Sequence, residues 1–119
     1  MITIWHNSRC SKSREALNIL EIHGREFEVF EYLKVDFSSD DIKKIIKLLK
    51  IDDVRDMLRK KEDIYKELNI KNELLSQDEI IELVVQNPKL VERPIIIKDE
   101  VAVIARPMDN LLNLIKPSI

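Results

Sequence analysis

Ile2-Thr3-Ile4-Trp5-His6-Asn7-Ser8-Arg9-Cys10-Ser11-Lys12-Ser13-Arg14 opens on a β-prone run, crosses a short polar loop and enters a helix. Cys10 is the single cysteine of the chain and stands at the junction of strand and helix. At such a junction the unpaired N–H groups and the positive end of the helix dipole favour an anion, so a thiolate is favoured over a thiol. Arg9, Lys12 and Arg14 add cationic charge, and Ser13, three residues on, is placed to donate its hydroxyl to the sulfur. His6 assists if it is protonated. Each effect is expected to lower the thiol pKa below its free value of about 8.5. A buried structural cysteine is the commoner fate of a lone Cys, but Arg, Ser and Lys neighbours do not read as a core position.

Working outward, Ser11 to His23 reads as a helix with Ala16, Leu17 and Leu20 on one face, closed by Gly24, the only glycine. Phe27 to Tyr32 alternates apolar with acidic residues, as a strand does. The middle is helical. Ser38 to Asp41 reads as an N-cap with an acidic first turn, and Ile42, Ile45, Ile46 and Leu49 follow at helical spacing. Asp52 is predicted to cap a short helix carrying Val54, Met57 and Leu58, and Ile64 to Leu68 makes a further turn. Ser76 to Glu79 is a capping box, opening a helix through Ile80, Ile81 and Val84 that Pro88 stops. Ile95-Ile96-Ile97 and Val101 to Ala105 then read as a hairpin around Lys98-Asp99-Glu100, and Met108, Leu111, Leu112 and Ile115 as a final helix.

That order is βαβ, a helical block, then ββα. It resembles the thioredoxin plan: an α/β fold with a mixed four-stranded sheet, flanking helices and a helical insertion between strands 2 and 3. A single domain over 1–119 is expected, with the insertion at roughly 38–90.

The whole chain bounds what such a domain can do. Its 119 residues suffice for one core, and 45% hydrophobic with 35% charged residues excludes disorder and low complexity. A formal net charge of −2 gives no global field for nucleic acid or anionic membranes, so an anion site must be a local cluster of cations. The N-terminus reads as a strand and not as a signal peptide, and no apolar run approaches the roughly 18 residues of a membrane helix. A cytoplasmic monomer is expected. One Cys and two His make no zinc set, and no glycine-rich phosphate loop is present, so neither a metal nor a tightly bound cofactor is expected.

Three arginines stand apart from the Cys10 loop. Arg59 closes the short helix at Met57-Leu58-Arg59, Arg93 precedes Pro94 before the third strand, and Arg106 precedes Pro107 after the fourth. In a thioredoxin-like plan the proline before the third strand is the usual site of a cis bond, here Pro94, which brings Arg93 toward the thiol. Guanidinium groups suit tetrahedral oxyanions better than ammonium groups do.

His6-Asn7-x-x-Cys10-x-x-Ser13-Arg14, Leu58-Arg59-Lys60, Glu92-Arg93-Pro94-Ile95 and Ala105-Arg106-Pro107, taken in order, resemble the glutaredoxin-coupled arsenate reductases of the ArsC family, which also holds the Spx regulators. The resemblance implies that Cys10 attacks arsenate, with His6 and Ser13 keeping it ionised and Arg14 beside them. It implies that Arg59, Arg93 and Arg106 hold the oxyanion, and that glutathione, as co-substrate, forms a mixed disulfide which glutaredoxin removes. The residues agree independently on one point: with no second cysteine, the resolving thiol is external. Ser8, Arg9 and Ser11 depart from the family pattern, which carries Pro and a small residue before the cysteine and a small residue, often Gly, after it. Two other readings stand beside the first. One is a glutathione-dependent protein thiol reductase, suggested by Cys10-x-x-Ser13. The other is an Spx-like regulator binding RNA polymerase, against which stands the absence of a C-x-x-C pair.

Overall fold

The computed structural model describes residues 1–116 and divides into two compact units, Met1–Val35 with Arg93 onward, and Asp36–Glu92. Residues 117–119 of the expected 1–119 domain lie outside the described residues. The expected insertion at 38–90 falls within the second unit.

The first unit is a sheet with two helices. Its elements are β1 (Ile2–Trp5), α1 (Ser11–Ile22) and β2 (Phe27–Phe30), then, after the second unit, β3 (Ile95–Lys98), β4 (Val101–Ile104) and a terminal helix (Asp109–Ile115). The strand order is β2-β1-β3-β4, with β1 and β2 parallel and the other two pairs antiparallel. This is the mixed four-stranded, thioredoxin-like α/β architecture. The parallel pair follows from a crossover through α1, and the antiparallel pair from a hairpin turning at Asp99, which adopts φ +55°. Ile4 is opposite Val29 on one side and Ile96 on the other. Gly24 ends α1 at φ +63°, a conformation glycine adopts without a Cβ penalty.

Period-2 and period-3.6 patterns meet in one core. Ile2 and Ile4 of β1 and Ile96 of β3 pack with Ala16 and Leu20 of α1 and with Leu111 and Ile115 of the terminal helix. The β2 strand is shorter than Phe27–Tyr32. The last ladder bond runs from the His6 amide to the Phe30 carbonyl at 2.9 Å, and the chain then turns, with Lys34 and Val35 amides both donating to the Glu31 carbonyl. Tyr32 is buried and stacks on Trp5 at 5.8 Å, which fixes the turn that places Glu31 and Lys34 beside the end of β1.

The second unit is helical: α2 (Ser39–Leu49), a 3-10 turn (Val54–Met57), α3 (Asp63–Glu67), α4 (Gln77–Gln86) and a second 3-10 turn (Pro88–Leu90). The terminal helix is therefore α5. Both expected capping boxes form, Ser38 with Asp41 and Ser76 with Glu79. The cap of the first 3-10 turn is Asp53, not Asp52. Only Asp53 can accept the Arg55 amide (3.0 Å) while also accepting Gln77 Nε2 at 3.0 Å. Removing a cap leaves an orphan N–H, so Ser76→Ala is expected to destabilise the protein by about 1 kcal/mol. Urea unfolding checks this; an unchanged midpoint would show that α4 does not depend on its cap.

Candidate active site

The loop between β1 and α1 is braced by short bonds of its own. The Asn7 amide donates to Ser13 Oγ (3.0 Å), the Arg9 amide to Asn7 Oδ1 (3.0 Å), and the Cys10 amide to the Asn7 carbonyl (3.0 Å). Arg14 donates from its guanidinium to the Ser8 carbonyl at 2.8 Å. Asn7 was not singled out by the sequence reading as a site residue. Its signal was the tendency of Asn to accept a backbone amide two residues on.

Cys10 is the N-cap of α1, with extended backbone, and its carbonyl accepts the Arg14 amide. The residue is 7% exposed. Burial pushes the thiol pKa up, but the Ser13 amide, a hydrogen bond and charge from the Arg93 guanidinium, and the Lys12 amide outweigh it, and the net shift is downward. No cap hydrogen bond of ordinary geometry closes on the sulfur, so the two amides act as oriented dipoles at the open helix end. Arg106 donates from Nη2 to Cys10 Sγ at 3.7 Å and from Nε to the Arg93 carbonyl at 2.7 Å. The Arg93–Pro94 and Arg106–Pro107 bonds are both cis. The two Arg-Pro steps that flank the hairpin thus bring both guanidinium groups to the thiol.

Two sequence expectations about the sulfur's neighbours need correcting. Ser13 does not turn its hydroxyl to Cys10: Oγ lies 2.6 Å from His6 Nδ1 and accepts the Asn7 amide, and it is the Ser13 main chain that faces the sulfur. Nor does His6 help as a cation. Its pKa is lowered by burial, with Glu31 raising it and Arg14 lowering it further, so the neutral ring is the favoured form. The guanidinium whose charge lowers the thiol pKa is that of Arg93, from far along the chain, and Arg106 donates to the sulfur as well. Lys12 pairs instead with Glu15 at 3.5 Å.

Arg59 belongs to the second unit. It follows the 3-10 turn instead of ending a helix, its amide donates to the Leu90 carbonyl at 2.8 Å, and its guanidinium pairs with Glu62 at 3.0 Å. Among the described residues no cluster of His, Cys, Asp or Glu is arranged to hold a metal ion, and no helix is long and apolar enough to cross a membrane.

A thiol with a lowered pKa beneath two guanidinium groups is equipped to attack an electrophilic oxyanion, and the pattern that defines the ArsC family matches residues 5–114 of this sequence. The chain belongs to the ArsC family. It is 42% identical to the Escherichia coli (strain K12) protein YfgD over 96% of both chains. It is 41% identical to an arsenate reductase of Haemophilus influenzae, over 96% of this chain and 98% of the relative. An arsenate reductase structure from Vibrio cholerae superposes with a TM-score of 0.92 at 38% identity, covering 96% of this chain and 97% of the other.

In this ArsC-family chain, then, the first unit gathers His6, Cys10, Ser13, Arg14, Arg93 and Arg106 around the end of β1 and the start of α1. Glu31 and Lys34, which the sequence reading passed over, line a cavity of about 200 Å³ with His6, Asn7, Ser8, Arg9 and Leu33. Nothing in the local pattern at 31–34 pointed to them; they arrive because β2 lies parallel to β1 and ends beside it.

Proposed function

We propose that the protein reduces arsenate to arsenite through a covalent Cys10 adduct, with glutathione and glutaredoxin completing the cycle. The observation that carries this reading is the pair of guanidinium groups, Arg93 and Arg106, on a cysteine whose pKa is lowered at a helix N-terminus. The relatives named arsenate reductases support the choice of oxyanion.

The Cys10 thiolate attacks arsenic, forming an S–As bond as one arsenate oxygen leaves as water. The thiolate of glutathione then attacks the Cys10 sulfur. The S–As bond breaks, its electron pair stays on arsenic, and arsenite departs. A Cys10–glutathione disulfide remains, and a glutaredoxin thiol takes over the glutathionyl group and frees Cys10. Arsenate and two thiols thus become arsenite, one disulfide and one water. Arg93 and Arg106 neutralise the oxyanion as the bond to sulfur forms, and Arg59 is assigned to the same anion on the strength of the family resemblance. His6, neutral, and Ser13 act indirectly: their mutual bond holds the first turn of α1, whose amides face the sulfur. In this reading the enzyme is a cytoplasmic monomer of one domain, with no tightly bound cofactor.

Purified protein mixed with arsenate, glutathione and glutaredoxin, read through NADPH oxidation by a coupled reductase, tests the proposal. Arsenate-dependent oxidation is expected. No rate above background would remove arsenate as the substrate, and faster turnover of a glutathionylated protein would favour the thiol-reductase reading.

A further inference from the structure

We propose that Glu31 is a positioning residue of the Cys10 site. Its carboxylate, across the cavity at the end of β1, holds His6 in the tautomer with the proton on Nε2. Nδ1 is thereby kept as the acceptor that pins Ser13 at the start of α1. This role deepens the reading of Cys10 as a thiolate nucleophile and rests on it.

A buried hydroxyl decides the tautomer. Ser13 is fully buried, and its Oγ accepts the Asn7 amide at 3.0 Å. The hydroxyl proton has one acceptor among the described residues, His6 Nδ1 at 2.6 Å. A neutral imidazole carries its proton on one nitrogen and accepts at the other. Were the ring proton on Nδ1, the Ser13 hydroxyl would be left buried with nothing to donate to, at the full cost of its desolvation. Burial favours the neutral ring, so its single proton belongs on Nε2.

The parallel register brings a carboxylate to that ring. The His6 amide donates to the Phe30 carbonyl at 2.9 Å, and Glu31 is the next residue of that strand. His6 and Glu31 line the same cavity of about 200 Å³, whose other charged groups are Arg9 and Lys34. Two charges act on the ring in opposite senses: Glu31, from the turn after β2, favours a proton there, and Arg14, from α1, disfavours it. The Arg14 guanidinium is tied to the Ser8 carbonyl at 2.8 Å. Glu31 pairs with Lys34 at 3.3 Å, but these side chains are 39% and 68% exposed, and such surface pairs are held weakly. The carboxylate therefore keeps its pull on an N–H dipole turned toward the cavity. With Ser13 held by both Asn7 and His6, its main-chain amide stays directed at the sulfur.

Long-range proton–nitrogen NMR of the histidine rings reads the tautomer directly, and His23→Gln assigns the two rings of the chain. Wild type should show Nε2 protonated and Nδ1 bare; a ring protonated on Nδ1 would overturn the proposal. Glu31→Gln removes the charge and keeps the shape of a partly exposed side chain. It should shift the tautomer ratio about threefold toward Nδ1–H, the scale of one partly screened charge, and slow Cys10 alkylation at neutral pH by a similar factor. Direct electrostatics predicts the reverse for the thiol, since losing a nearby negative charge favours the thiolate. Alkylation that is faster or unchanged would thus overturn the role. Glu31→Asp should recover most of the wild-type ratio. Lys34→Gln breaks the same ion pair but spares the carboxylate, so both readouts should stay at wild-type values. A loss equal to that of Glu31→Gln would assign the effect to the pair's hold on the turn and overturn the proposal. Arsenate turnover is scored separately. Its absence in wild type, with His6 and Cys10 still answering to Glu31 as stated, removes the substrate assignment alone. Its presence with an unmoved tautomer in Glu31→Gln removes this role alone.

Discussion

Cys10→Ser is expected to reduce arsenate-dependent turnover by more than about 10³-fold, to the background of the coupled assay. The substitution keeps volume and position at the N-cap of α1 and removes only the sulfur. Serine is a favoured N-cap residue, so the fold should be retained or slightly stabilised. Its hydroxyl stays protonated at neutral pH even where helix amides and Arg93 lower the thiol pKa. It also makes no disulfide, and the chain holds no second cysteine to take over the redox step. A well-folded Cys10→Ser protein that still turned over arsenate would place the nucleophile outside this chain.

The second large effect belongs to Arg93. Its guanidinium acts on Cys10 twice, by a hydrogen bond and by its charge, and in the proposed mechanism it also neutralises the oxyanion. Arg93→Ala should therefore raise the Cys10 pKa and lower kcat/KM for arsenate by about 10²–10³-fold, the usual consequence of removing one preorganised donor. Arg93→Lys should restore the charge but not the planar fork of donors, and so recover only part of the loss. Arg106→Ala should cost less, because Arg106 is exposed and touches the sulfur through one nitrogen at 3.7 Å. Steady-state kinetics with thiol titration on the same samples separates these effects. A kcat/KM loss with an unmoved thiol pKa would confine Arg93 to the oxyanion.

What could be read from the sequence was what depends on neighbours along the chain. Both capping boxes, the closure of α1 at Gly24 and the hairpin at 95–104 are settled by residues two to four apart. The cap at Asp53 was missed by one residue, since Asp52 and Asp53 are alike in sequence and only a partner from α4, Gln77, tells them apart. Around Cys10, which side chains gather was more legible than how they are wired. Cys10, His6, Ser13, Arg93 and Arg106 do meet, but which group touches the sulfur is decided by direction. Ser13 points its hydroxyl at His6 because that ring is buried beside it and needs a polar partner, which leaves only the Ser13 amide for Cys10. The adjacent cations Arg9, Lys12 and Arg14 look strongest in sequence, yet they project outward or brace the loop. The guanidinium groups that reach the sulfur come from far along the chain, Arg93 and Arg106. Glu31 and Lys34 had no local signal at all, because only the parallel register of β1 and β2 brings them to the Cys10 loop.

The most direct measurement is the ionisation of Cys10 itself, followed through the pH dependence of its alkylation and its thiolate absorbance. As the chain has one cysteine, every signal belongs to it. In the folded protein the pKa should lie below that of the same thiol in the urea-unfolded chain. It should rise in Arg93→Ala, and alkylation should slow when an oxyanion occupies the site. A folded pKa equal to or above the unfolded one, indifferent to Arg93, would contradict Cys10 as a stabilised thiolate nucleophile.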